Sequence, residues 1–217
     1  MDNRPKLLVM GGSFNPPTRA HVDFLLDAMR QMEAKEGIFV PSSHRYVSRK
    51  MAKYQEWNLV YTEAQRLEML ERICELYPNL SIMIGEYGDD GRGHTYETLE
   101  MIQADRPGYR VLFLIGADKL DIIPRWKDIG HLLHRFELVV STRDESDTDV
   151  IQQYIKHHPT LSAYQERFHV LSRERRYLDG DISSTMARKR VIMNDWEGLS
   201  KLVTPGVLSC LRQIVTK

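Results

Sequence analysis

Short apolar runs ending at glycine or proline alternate along this chain with segments whose apolar residues recur at helical spacing. Leu7-Leu8-Val9-Met10 stops at Gly11-Gly12 and predicts a buried strand. Val22, Leu25, Leu26 and Met29 fall at i, i+3, i+4 and i+7, which predicts a helix that stops at Gly37. Ile38-Phe39-Val40, closed by Pro41, predicts a second strand. Residues 42–54 show no clean period and carry Arg45, Arg49, Lys50 and Lys53, so they read as a basic loop. Thr62 and Gln65 make a capping box, opening a helix through Leu67, Leu70, Ile73 and Cys74.

The alternation continues to the end of the chain. Strands are expected at 80–84, 111–115, 137–140 and 168–171, the third of the six by position (111–115 the fourth) being separated from the next by a glycine-rich turn at 88–93. Helices are expected at 98–104, 129–134, 184–193 and 206–215, with another between the acidic turn 144–149 and Pro159. Asp89 and Asp90 read as turn residues, because calcium-loop spacing is absent. Strands alternating with helices predict an α/β fold, a parallel sheet covered on both faces. In such sheets ligands bind beyond the carboxyl ends of the strands, so the loops after the strands are where chemistry is sought.

Composition narrows the picture. The 217 residues are 42% hydrophobic and 28% charged, as in an ordinary globular protein. Thirty Lys+Arg balance thirty Asp+Glu, which argues against a nucleic-acid coat protein but leaves room for a local basic pocket. Cys74 and Cys210 lie far apart and form neither a metal-ligand spacing nor a disulfide framework, favouring a reducing compartment. No apolar run approaches the roughly 20 residues needed to cross a bilayer, and the first residues are unlike a secretory signal. The expected setting is cytoplasmic, with no nucleic-acid or membrane partner; self-association is left open.

Two loops carry the candidate chemistry. After the first strand comes Gly11-Gly12-Ser13-Phe14-Asn15-Pro16-Pro17-Thr18-Arg19-Ala20-His21. The glycines allow close backbone approach, and the following helix offers unpaired N–H groups to an anion. Thr18 and His21, three apart, share one face of its first turn. Far downstream, Asp181-Ile182-Ser183-Ser184-Thr185-Met186-Ala187-Arg188 reads as a helix start with hydroxyls and an arginine one turn on, able to hold phosphate oxygens. No dinucleotide fingerprint and no Walker-type phosphate loop occurs.

Together these strings resemble the signatures of the [HT]-x-x-H nucleotidyltransferases, and the Phe-Asn-Pro form with a leading threonine points to the nicotinate/nicotinamide mononucleotide adenylyltransferases. Ile182-Ser183-Ser184-Thr185-x-x-Arg188 matches that family's I-S-S-T-x-x-R in full, whereas Thr18 and Ala20 depart from its H-x-G-H form. Weaker likenesses lie at Gln65-Arg66-Leu67-Glu68, Gly93-His94-Thr95-Tyr96, Leu114-Ile115-Gly116-Ala117-Asp118, Pro124-Arg125-Trp126-Lys127 and Val203-Thr204-Pro205-Gly206.

The resemblance implies one Rossmann-like, doubly wound nucleotidyltransferase domain over 1–217, with a small C-terminal helical extension from about 182. It implies transfer of the adenylyl group of ATP to a pyridine mononucleotide, acid or amide, releasing pyrophosphate. His21 would be catalytic, donating a hydrogen bond near the reacting phosphorus. Gly11, Gly12, Ser13, Phe14, Thr18, Gly116, Asp118, Ile182, Ser183, Ser184, Thr185 and Arg188 would serve ATP, with Thr18, Ser184, Thr185 and Arg188 on the β- and γ-phosphates. Asn15, Thr95, Trp126 and Lys50 would serve the mononucleotide, Trp126 by stacking. Read from residues alone, Asp118 and Thr95 are equally well helix caps and Trp126 a core residue. One cation among His44, Arg45, Arg49 and Lys50 is expected against phosphate. Mg²⁺ is expected to come with ATP, without dedicated protein ligands. The alternatives are a related enzyme with a phosphopantetheine-like acceptor or CTP, and a non-catalytic nucleotide sensor.

Overall fold

The structure is a computed structural model that describes residues 3–53, 59–85, 94–142, 147–172 and 182–216. All six expected strands form: β1 (Lys6–Gly12), β2 (Ala34–Pro41), β3 (Leu80–Ile82), β4 (Arg110–Gly116), β5 (Glu137–Thr142) and β6 (Phe168–Ser172). They make one parallel sheet in the order β3-β2-β1-β4-β5-β6. The chain winds outward from β1 to β3, returns to the centre at β4, and winds outward again to β6. Winding reverses between β1 and β4, which opens a crevice at their carboxyl ends. This is the doubly wound, Rossmann-like arrangement that the alternating pattern predicts.

Strand side chains alternate between two apolar layers. Leu8, Met10, Phe39, Leu112, Leu114 and Val139 face one layer; Leu7, Val9, Ile38, Val111, Phe113 and Leu138 face the other. On the first face lie α1 (Arg19–Met32), α3 (Glu63–Cys74), α7 (Ser184–Ile192), α8 (Trp196–Leu202) and α9 (Pro205–Val215). On the second lie α4 (Thr95–Asp105), α5 (Ile129–Arg135) and α6 (Asp147–His157). Strands buried on both faces explain why these runs are continuously apolar rather than alternating. The C-terminal helices are not a separate appendage to the core: Val207, Cys210 and Leu211 belong to the same apolar layer as Leu8.

The structure corrects the sequence-based picture at three places. The expected basic loop is a helix, α2 (His44–Lys53), whose start is held by Ser43, with Tyr46 N–H donating to Ser43 Oγ at 3.2 Å. Only Val47 and Met51 are buried along it, too short a stripe to reveal a period among so many cations. Gly37 is not the end of α1. That helix stops at Met32, with Glu33 in the left-handed conformation (φ 54), and Gly37 sits inside β2. A Cβ at Gly37 would come within 2.7 Å of Leu80 Cδ2 and Met29 Sδ, so glycine lets the helix and the neighbouring strand pack closely. Lastly, α8 was not expected; Asp195 caps it, accepting from Gly198 N–H at 2.8 Å. The turn expected at 88–93, with Asp89 and Asp90, lies outside the described residues, as do 144–146 of the acidic turn. Among the described residues no helix is long and apolar enough to cross a membrane.

Candidate active site

A cleft of about 1450 Å³ opens over the carboxyl ends of the strands, where the winding reverses. It exceeds the roughly 300–1,000 Å³ typical of a site for one small ligand. The residues assigned to ATP and the mononucleotide from the sequence line it, Lys50 among the four candidate cations but not His44, Arg45 or Arg49, so two motifs more than 160 residues apart share one cavity.

The floor is the loop after β1. Phe14 adopts a left-handed conformation (φ 43), which turns its ring back onto Gly12, where an added Cβ would lie 2.7 Å from Phe14 Cζ. Gly12 is therefore required by the chain's own phenyl ring. That ring is 1% exposed and meets Phe39 and His21 edge-on, at 5.3 and 5.2 Å between centroids. Phe14 thus supports the imidazole from below.

Thr18 caps α1 and is fully buried. Its backbone N–H donates to His21 Nδ1 at 3.0 Å, and its hydroxyl lies 2.8 Å from the same nitrogen. A backbone N–H can only donate, so Nδ1 accepts and the neutral ring carries its proton on Nε2. The motif's spacing thereby delivers a donor nitrogen to the cleft. Thr18 was expected on phosphate; its hydroxyl is engaged with His21 instead.

Arg188, from α7, ties the second motif to the first. It is 5% exposed and donates to the Asn15 carbonyl at 2.7 Å and to Thr185 Oγ1 at 3.1 Å. Ser184 Oγ donates to the Pro16 carbonyl at 2.8 Å, and Ser183 Oγ caps α7 by accepting from Met186 N–H at 3.1 Å. Asn15, expected on the mononucleotide, spends its side chain on backbone: Nδ2 donates to Leu59 O at 3.0 Å, and Oδ1 accepts from Tyr61 N–H at 2.9 Å.

Lys50 is the cation of α2 that reaches the floor, its Nζ 3.3 Å from Ser13 Oγ. Burial lowers its pKa, and the charges of Lys119 and Arg188 lower it further against an opposing pull from Asp118. Like charges held this close favour an anion between them. Among the described residues, five cations line the cleft (Lys50, Lys119, Arg125, Lys127, Arg188) against two carboxylates (Asp118, Asp147). The neutral chain therefore concentrates positive charge in its crevice.

Asp118 follows Gly116 at the end of β4, strongly exposed and paired with Lys119. Trp126 is half-buried and packs edge-on against Phe113 at 6.0 Å, on the wall that also holds Thr95 at the start of α4. Among the described residues no group of three or more His, Cys, Asp or Glu could hold a metal ion.

Arg66 was not singled out as a site residue. It is fully buried under the floor and donates to Ser13 O at 2.9 Å and Ser42 O at 2.8 Å, clamping the loops after β1 and β2 together. Its signal was present in the sequence: on α3 it occupies the inward position three, four and seven residues before Met69, Leu70 and Ile73. Lys119 carried no such signal.

The comparisons with known proteins agree with this arrangement. A protein of Clostridium perfringens described as a probable nicotinate-nucleotide adenylyltransferase is 26% identical over 210 residues, 95% of each chain. One of Listeria monocytogenes with the same description is 27% identical over 154 residues, covering 70% of this chain and 77% of that one. In structure, the nicotinic acid mononucleotide adenylyltransferase of Plasmodium falciparum complexed with APC superposes with a TM-score of 0.64 at 17% identity, over 97% of this chain and 96% of that one. Its complex with NaAD gives 0.63 at 18% identity. The family model described as cytidylyltransferase-like matches residues 9–190, from within β1 to the end of the second motif, and the chain belongs to that family.

Proposed function

We propose that this chain transfers the adenylyl group of ATP to the 5′-phosphate of a pyridine mononucleotide, forming the dinucleotide and pyrophosphate. The observation that carries the reading is the meeting of the Thr18–His21 turn and the Ser183–Arg188 helix start on one cationic cleft. The names of the relatives supply the acceptor class.

The acceptor phosphate is a competent nucleophile at neutral pH, so no general base is needed. What the residues contribute is alignment and charge stabilisation. The 5′-phosphate oxygen attacks the α-phosphorus of ATP, the bond to the bridging oxygen breaks, and pyrophosphate leaves with the electron pair. His21 Nε2–H donates to the α-phosphate as charge accumulates, in an orientation fixed by Thr18 and Phe14. Lys50, Arg188 and the hydroxyls of Ser183 and Thr185, which only accept within the fold, hold the leaving pyrophosphate, while Ser184 ties the motif to Pro16. Trp126 stacks on the pyridine ring. Mg²⁺ carried by phosphate oxygens and water would neutralise further charge; the exposed, paired Asp118 fits an ion brought by substrate better than a resident one. A cytoplasmic setting belongs to the proposal and is supported by two free cysteines, one half-buried and one buried.

The test is pyrophosphate release with MgATP and, in separate reactions, nicotinate mononucleotide, nicotinamide mononucleotide, a phosphopantetheine acceptor or none. Release with a pyridine mononucleotide alone is expected. Release with the pantetheine acceptor, or release only when CTP replaces ATP, overturns the acceptor or donor assignment; release without an acceptor is ATP hydrolysis and overturns the transfer itself, and no release in any reaction reduces the chain to a nucleotide-binding protein.

A further inference from the structure

Arg66 takes no part in the proposed reaction, yet its guanidinium is wholly buried beneath the floor of the cleft. A charged side chain is almost never enclosed this completely unless its partners require it, because taking the charge out of water is costly. An apolar residue would suit the same inward face of α3, which Met69, Leu70 and Ile73 share. What the guanidinium holds is main chain: Ser13 O at 2.9 Å and Ser42 O at 2.8 Å, one carbonyl in each loop that follows the neighbouring strands β1 and β2.

The two holds differ in what depends on them. Ser42 is tied to the first loop by its own N–H as well, which donates to the Gly12 carbonyl at 2.8 Å, and Pro41 before it is still in register with Gly12. The second loop therefore keeps its place without the arginine. Ser13 O belongs to the peptide that leads into Phe14, and Phe14 is in the left-handed conformation (φ 43), which a residue with a side chain enters only at a cost. A planar peptide gripped by its oxygen cannot turn, so the grip on Ser13 O also fixes the φ of Phe14. The effect reaches the cleft through the phenyl ring, which meets His21 edge-on at 5.2 Å and is backed by Phe39 at 5.3 Å.

We infer that Arg66 is a positioning residue for His21: by gripping the Ser13 carbonyl it holds Phe14 in its left-handed conformation, and the Phe14 ring in turn sets the plane of the imidazole. The inference rests on the role of His21 in the proposed adenylyl transfer. Thr18 N–H fixes one nitrogen of the imidazole but leaves the ring able to rock about that hydrogen bond; the phenyl edge removes this freedom. A donor aimed wrongly loses transition-state stabilisation, whereas ATP binding draws on several other groups. The loss therefore falls on kcat rather than on KM.

The experiment is Arg66→Lys, which keeps the charge but replaces the two-pronged guanidinium by a single ammonium, made alone and together with His21→Ala. Pyrophosphate release gives kcat and KM for ATP, well below the melting temperature of each variant. Proton–nitrogen correlation spectra of the histidine rings, with His21 assigned by its loss in His21→Ala, report the imidazole directly. Arg66→Lys alone should lower kcat about ten-fold and change KM for ATP less than about two-fold. In the His21→Ala background the same change should lower kcat less than about two-fold, because the group it positions is gone. The His21 ring signals should shift, while those of His169, held by Glu137 at the other end of the sheet, stay in place. A merely structural role would lower the melting temperature and leave kcat alone, or lower kcat equally in both backgrounds; either result overturns the inference. A loss confined to KM assigns the clamp to α2 and Lys50 and overturns it too, as do unmoved His21 signals. If Arg66→Lys fails to fold, Arg66→Gln, whose planar amide keeps a pair of N–H donors, carries the same comparisons. A wild type that releases pyrophosphate with neither pyridine mononucleotide overturns the proposed function instead, and the ring signals then decide by themselves whether Arg66 orients His21.

Discussion

Both ends of the β-sheet gather arginine, lysine and histidine, yet the fold treats the two clusters in opposite ways. At the amino ends, Arg110 and His169 close on Glu137, with Arg110 Nε at 2.8 Å and His169 Nε2 at 2.5 Å, and Arg167 stands 3.9 Å away. Burial alone would raise the Glu137 carboxyl pKa; hydrogen bonds from His169 and Arg110 and their charges overcome it and hold it at about 2. At the carboxyl ends, burial and the neighbouring charges of Lys119 and Arg188 push the Lys50 pKa down. In one cluster folding favours the charged form, and in the other it opposes it. A cation that folding opposes, as at Lys50, points to an anion bound beside it, whereas a satisfied cluster is part of the frame.

The largest expected effect lies at the carboxyl end. His21→Ala should lower turnover by about 10²-fold or more, if the imidazole donates chiefly in the transition state. The ring faces the cleft, but its Nδ1 also accepts from Thr18 N–H at the start of α1, so the far-UV spectrum should change little while the melting temperature falls by about 2–4 °C. Near-normal turnover would remove His21 from the mechanism.

A sharper test of the contrast is Lys50→Met. Removing a cation that burial and like charges disfavour should raise the melting temperature of the ligand-free protein, by about 1–3 °C for a chain of this size. The same change should raise KM for ATP about ten-fold, because one charge facing the phosphates is lost. Stability and binding are expected to move in opposite directions. A fall in melting temperature would show that Lys50 belongs to the frame.

How much of this was legible beforehand follows from the range of each interaction. The strands at β1 and β4 are short apolar runs buried on both faces, and the strings at 11–21 and 182–188 are local, so all could be read directly. The helix at 44–53 could not, because its inward face holds only two residues, Val47 and Met51. Sequence placed Asn15 and Thr18 on ligands; the structure gives their side chains to Leu59, Tyr61 and His21, partners that spacing could suggest only for His21. The Lys127–Glu97 contact joins positions 30 apart, across α4 and the turn before α5, and depends on packing that no local pattern encodes.

The amino-end cluster gives the smallest effect. Its folded-state carboxyl pKa, about 2, lies below the ordinary 4.5, so the native state binds its proton less readily than the unfolded chain. Stability from Glu137 is therefore complete above about pH 4.5 and is lost as pH falls from there toward 2. Glu137→Gln removes the contribution at neutral pH, which should lower the melting temperature by a few degrees at pH 7, for a loss of about 1–2 kcal/mol. The variant and the wild type should then converge as pH is lowered, since protonation removes the same charge from the wild type. Because the cluster lies at the opposite end of the strands from the cleft, KM for ATP and for the mononucleotide should stay within about two-fold of wild type. Melting curves at pH 7 and pH 3.5, paired with steady-state kinetics at pH 7, test both statements. Because the folded carboxyl titrates only at about 2, part of the gap should remain at pH 3.5; a gap as wide there as at pH 7 would mean that packing rather than the carboxylate charge holds this end together, and a shift in KM would mean that the two ends of the sheet are coupled.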